Sequence, residues 1–137
     1  MRELLYLHTP SYEELWYRQK IMQDSDTMSY NKGYDLDFEG YDKATGCLAF
    51  PEQKWADWYT YFNGQEPQRF YAYIVRKTDG IFIGEVNVHR NPNAPWHEMG
   101  IVLEAKYHMT REENIFVAKR NIVDYIWKSA RLEGLAV

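Results

Sequence analysis

Two spacings of apolar residues alternate along this chain, and the secondary structure changes where one gives way to the other. Leu4, Leu5, Tyr6 and Leu7 make an apolar run short enough for an opening strand over Arg2 to His8. Thr9, Pro10 and Ser11 carry a helix-cap signal with Glu13 and Glu14 in the first turn. Leu15, Trp16, Gln19, Ile21 and Met22 follow at roughly helical spacing, which predicts a first helix from about Ser11 to Gln23. From Asp24 to Phe50 the period is lost. Asp, Ser, Asn and Gly recur there with Tyr30, Tyr34 and Tyr41, a long loop of the kind that is often functional in a compact domain. Pro51 then opens a second helix with Trp55, Trp58, Tyr59 and Phe62 on one face and an end at Asn63-Gly64.

Beyond the second helix the period shortens. Phe70 to Arg76 and Ile81 to His89 flank Lys77-Thr78-Asp79-Gly80, whose Asp-Gly pair predicts a tight turn and an antiparallel hairpin. Asn91 to Pro95 makes a second turn, and Trp96 to Glu104 returns as a third strand with Met99, Ile101 and Leu103 on one face. Ile81, Ile83, Val86 and Val88 do not alternate strictly, so a bulge or a close backbone approach is expected near Gly84. Thr110, with Glu113 three places on, caps a third helix whose stripe runs from Ile115 to Trp127 and whose end falls near Arg131. Leu135 to Val137 has room only for the start of a strand.

Composition narrows the class. The 137 residues suit one domain with one core, and 45% apolar with 17% aromatic residues excludes a disordered chain. A formal charge of -4 offers no basic stripe for nucleic acid. No apolar run approaches the ~20 residues of a membrane span, and the polar start does not read as a signal peptide. A cytoplasmic protein is the expectation. Cys47 is the single cysteine, so an intrachain disulfide is excluded, and a lone thiol is more often a packing residue than a nucleophile.

Six segments, in this order and spacing, carry a resemblance: DTMSYN at Asp26 to Asn31, GYD at Gly40 to Asp42, TGCLAFPE at Thr45 to Glu52, RFYAYIV at Arg69 to Val75, GEVNVH at Gly84 to His89 and WHEMGIVLEAKY at Trp96 to Tyr107. Together they resemble the N-terminal part of the GNAT superfamily of N-acetyltransferases over about three quarters of the chain. The resemblance implies an α+β fold with a mostly antiparallel sheet flanked by helices, C-terminally truncated, in a single domain over 1–137. Residues 1–107 are family-like, and 108–137 form a divergent helix and short strand.

It further implies transfer of an acetyl group from acetyl-CoA to a primary amine of a small molecule or peptide. In that family the strand ending in a tyrosine like Tyr107 leads into a glycine-rich loop that holds the coenzyme A pyrophosphate on backbone N-H groups. Here His108, Met109, Thr110 and Arg111 take that place without a glycine, and Glu112 and Glu113 put negative charge where phosphate would lie. Those four positions, with the backbone of Val102 and Leu103 at the strand end, are the implied cofactor contacts. The alternative is a catalytically inactive, truncated chain that self-associates as a homodimer through its incomplete sheet.

Acyl transfer to an amine needs a proton acceptor and a donor for the developing oxyanion. Glu85 is the first general-base candidate, because it lies mid-strand between apolar residues where desolvation raises a carboxyl pKa; it reads also as a carboxylate on a half-exposed strand. Glu98 and His89 are further catalytic candidates near strand ends. Tyr30 and Tyr34 are candidates for the acceptor pocket, and Trp55, Trp58 and Tyr59 divide between pocket and core. His97, His108 and Glu98 lack a recognised ligand spacing, so no metal is expected.

Overall fold

The computed structural model describes residues 5–65, 68–90 and 97–106. The third helix, the terminal strand start and the loop positions His108, Met109, Thr110 and Arg111 lie outside the described residues. Strand β1 (Leu5–His8) leads through a 3-10 turn at Tyr12–Leu15 into helix α1 (Trp16–Met22). The long loop holds a second 3-10 turn at Ser29–Asn31, a third at Glu52–Lys54 opens helix α2 (Trp55–Phe62), and strands β2 (Arg69–Arg76), β3 (Phe82–Arg90) and β4 (His97–Leu103) follow. The strands lie in the order β1-β2-β3-β4 with every pair antiparallel. The hairpin and the returning strand expected from the period-2 runs are both present.

Alternation along β2 sorts the core into two faces. Phe70, Ala72 and Ile74 point to one side with Leu5, Ile83, Val86 and Val88, all buried. Tyr71 and Tyr73 point to the other, where Tyr17, Ile21 and Met22 of α1 and Met28 of the long loop cover them. The irregularity read near Gly84 is a bulge: Ile74 pairs with Gly84 but Val75 pairs with Phe82, so Ile83 is the extra residue. That one insertion puts Ile83 and Val86 on the same face despite their odd spacing. It also returns Phe82 to the helix side, where its ring lies 4.9 Å from that of Tyr73.

Gly84 is where β4 comes closest. A Cβ built there would lie 2.2 Å from the Val102 carbonyl oxygen and 3.1 Å from the Leu103 Cα. Gly84→Ala is therefore expected to push β4 outward and to lower stability by about 1–3 kcal/mol, read from the urea midpoint at unchanged slope. A midpoint at or above the parent's would show that β4 is not held where the ladder places it.

The entry to α1 is fixed by polar groups. The Ser11 N-H donates to Glu14 Oε1 at 2.9 Å, and the Glu14 N-H donates to the Ser11 carbonyl at 3.1 Å. The Glu14 carboxylate also lies 2.7 Å from His8 Nε2. Partial burial raises the Glu14 pKa, but the Ser11 N-H and His8 outweigh it and leave the group below its ordinary value. A depressed carboxyl pKa adds stability above the unfolded value and loses it as pH falls through the folded one. The stability difference between the parent and Glu14→Gln should thus be constant above about pH 5 and shrink below about pH 4.5, measured by urea unfolding across that range. A difference unchanged down to about pH 3 would assign the cap to geometry alone.

Candidate active site

The pleat brings the three catalytic candidates onto one face. Across the sheet run the rows Tyr73-Glu85-Val102, Tyr71-Asn87-Gly100 and Arg69-His89-Glu98, all on the side that α1 and α2 cover. The helices treat each row differently.

Glu85 is 2% exposed and fully engaged. Arg18 of α1 donates from Nη1 to both carboxylate oxygens, at 3.0 and 2.9 Å, and the Tyr71 hydroxyl donates to Oε2. The guanidinium carbon lies 4.5 Å from the Trp58 ring centroid and 4.9 Å from that of Phe50. Arg18 Nε is sealed from solvent with no acceptor among the described residues. Burial alone would lower the Arg18 pKa, but Glu85 and then Tyr71 hold the guanidinium above its usual range. Burial pushes the Tyr71 phenol well above its usual range, and the Glu85 charge adds to the rise. Tyr73, also raised chiefly by burial, donates its hydroxyl to the Glu14 carbonyl at 2.6 Å and accepts from the Arg18 N-H at 3.3 Å. Two tyrosines of β2 thus lock α1 against the sheet with Arg18 placed over Glu85.

A cavity of about 810 Å³ opens beside this lock. Its walls come from three sources: Phe38, Glu39, Leu48, Ala49 and Phe50 of the long loop; Asp57, Trp58, Tyr61 and Phe62 of α2 with Lys54 ahead of it; and Arg18, Met22, Tyr71, Asn87 and His89 beneath. His89 therefore reaches the cavity, whereas Glu85 lies behind Arg18. The two ring nitrogens of His89 lie 3.2 Å from Asn87 Oδ1 and 3.2 Å from Glu98 Oε2. Among the described residues His89 is what joins Glu98 to the cavity. Tyr30 and Tyr34, expected in the acceptor pocket, are 58% and 65% exposed and stand outside its lining. Trp55 is core, with its indole N-H donated to the Phe50 carbonyl at 3.2 Å, while Trp58 serves both core and wall.

The ladder separates Val102 from Leu103. The Glu104 N-H donates to the Ile83 carbonyl at 2.8 Å, so by alternation Val102 also turns its backbone groups toward β3. Leu103 and Ile101 turn theirs to the opposite edge, where β4 has no strand partner among the described residues. The chain leaving β4 is pinned: the buried Glu104 carboxylate accepts from the Tyr17 hydroxyl at 2.9 Å, and the Ala105 N-H donates to Thr27 Oγ1 at 3.0 Å.

Reasoning from the sequence missed Arg18, Tyr71 and Glu104. A signal for Arg18 existed, since Leu15, Arg18 and Met22 share the 3-4 spacing of an apolar stripe and a cation there needs a buried partner. Among the described residues no group of three His, Cys, Asp or Glu could hold a metal ion, and no helix is long and apolar enough to cross a membrane.

No protein-family model and no curated protein matches the sequence. Among solved structures the chain is similar to an acetyltransferase of the GNAT family from Bacillus anthracis, known from its crystal structure. The TM-score is 0.57 at 16% identity, over 96% of this chain and 67% of that one. The chain thus has a GNAT-like α+β fold, as the sequence segments suggested.

Proposed function

We propose that the protein is an N-acetyltransferase that moves an acetyl group from acetyl-CoA to a primary amine. The observation that carries this reading is the cavity lined by His89 in a GNAT-like fold, together with an edge of β4 that no strand among the described residues pairs. The N-H and C=O groups of Ile101 and Leu103 suit a pantetheine arm, which carries amides of its own and can join the ladder as a short strand. Acetyl-CoA supplies the thioester. The Leu103 N-H, turned to that edge, can donate to its carbonyl oxygen and favours the negative charge that grows there.

In this reading the neutral amine forms the new C-N bond as the C-S bond breaks. His89 takes the proton the nitrogen must lose, and Glu98 orients the imidazole and steadies the charge it gains. Glu85 is then a positioning residue: it holds Arg18, which shapes the floor, and is no longer the first choice of base. Titration of the full chain with acetyl-CoA should give saturable heat with a Kd in the range of about 1 μM to 1 mM typical of enzyme substrates. No heat and no thermal shift at the upper end of that range would remove the proposal.

A further inference from the structure

Asn87 stands two residues before His89 on β3, so alternation puts both side chains on the helix side of the sheet, where both line the cavity. Its ladder neighbours leave its amide little else to bond: Tyr71 on β2 has its hydroxyl on Glu85, and Gly100 on β4 has no side chain. Among the described residues the hydrogen-bond partner of the Asn87 amide is His89, with Oδ1 and Nδ1 at 3.2 Å. Gly100 also keeps space around that amide, since a Cβ there would lie 2.9 Å from Asn87 Nδ2 and 3.4 Å from Oδ1.

The His89 ring thus lies between two oxygens, Asn87 Oδ1 and Glu98 Oε2. A neutral imidazole has one N-H and one lone pair, so it satisfies one of those oxygens and opposes the other, whereas a ring with two N-H groups satisfies both. A carboxylate offers acceptors only. An amide exchanges O for N by a half turn of its last torsion, so of the two neighbours Asn87 is the one that can follow a change in the ring.

We infer that Asn87 is a positioning residue that sets which nitrogen of His89 accepts the proton, an inference that rests on the transferase reading for its consequence but not for its test. Before the reaction the amide NH2 donates to the lone pair of Nδ1, and the Nε2-H donates to Glu98. The arriving amine displaces that NH2. As the C-N bond forms and the C-S bond breaks, coenzyme A leaves as the thiolate and the amine proton passes to Nδ1. The amide then turns its oxygen to the new N-H, which is the arrangement the structure holds.

The first readout needs no acetyl-CoA. Ring-nitrogen NMR of the full chain with isotope-labelled histidine is recorded on the alkaline plateau of the ring signals, where an imidazole is neutral. His89→Gln picks out the His89 signals from those of the four histidines. The proton should sit on Nε2 rather than Nδ1 by at least about ten to one, because both hydrogen bonds favour that form. Gly100→Ala keeps the amide but crowds it, and should lower that preference by about two- to ten-fold. Asn87→Asp replaces the amide with an acceptor and should draw a proton onto Nδ1. In transfer to propylamine, a plain primary amine, Asn87→Asp should lower kcat by about ten-fold or more and leave the KM for acetyl-CoA unchanged. A neutral His89 with its proton on Nδ1, or shared evenly, or a ring unmoved by Asn87→Asp, would overturn the inference whatever acetyl-CoA does. An unchanged kcat in Asn87→Asp would overturn it too. The Nε2-H form in a chain that does not bind acetyl-CoA would reject the transferase reading alone.

Discussion

Arg18→Met is expected to cost about 3 kcal/mol of folding stability, the lower end of the range for breaking a buried ion pair because the Arg18 side chain keeps 16% of its exposure. The loss comes less from the attraction removed than from what stays behind. Glu85, 2% exposed between β2 and β4, would keep only the Tyr71 hydroxyl to bond its carboxylate. A charge stranded in that way either remains at high cost or takes up a proton. The double variant Arg18→Met, Glu85→Gln removes both charges and should recover more than half of the loss, since the neutral amide that replaces the carboxylate can still accept from the Tyr71 hydroxyl. Guanidinium unfolding of the parent, both single variants and the double variant gives the coupling energy directly. A single-variant loss below about 1 kcal/mol, or a double variant no better than the singles, would mean that the pair is an incidental surface contact.

The same pair shows where reasoning from sequence stops. β2 was legible because every residue from Phe70 to Val75 is apolar and both of its faces are buried; the bulge was legible because Gly84 and Glu85 break the alternation of Ile83 and Val86. Both are local signals, carried by neighbouring residues of one strand or hairpin. Arg18 and Glu85 lie 67 residues apart, and neither segment shows that the other will meet it. The cavity is harder still, since a large share of its wall comes from the aperiodic stretch between Met28 and Phe50, where neither spacing applies. That stretch is held by tertiary bonds: the Leu48 N-H donates to the Met22 carbonyl at 2.9 Å and Asn31 Nδ2 to the Gly46 carbonyl at 3.3 Å. Tyr30 and Tyr34 are its acceptor-pocket candidates, yet it is Phe38 and Phe50 that line the cavity. For Gly46 the reason is visible: at φ +82° its Cα lies so near the Met28 carbonyl that a Cβ would stand 2.2 Å from that oxygen. The loop is there folded on itself, and Tyr30 and Tyr34 are left in solvent.

His89→Gln is expected to lower kcat/KM for acetyl transfer by about 10²- to 10⁴-fold while leaving the affinity for acetyl-CoA unchanged. The substituted amide keeps a polar partner for Glu98, at 3.2 Å in the parent, so the β3-β4 ladder should survive and the loss should fall on proton transfer. Glu98→Gln provides the control for orientation. It removes the charge behind the ring but not the ring, so it should cost less than His89→Gln. Glu85→Gln should behave differently again, with its larger effect on the unfolding midpoint, since Arg18 stands between Glu85 and the cavity. If His89→Gln retained activity within a few-fold of the parent while Glu85→Gln abolished it in a folded protein, the proton would be leaving through Glu85, and Arg18 would have to move aside during turnover.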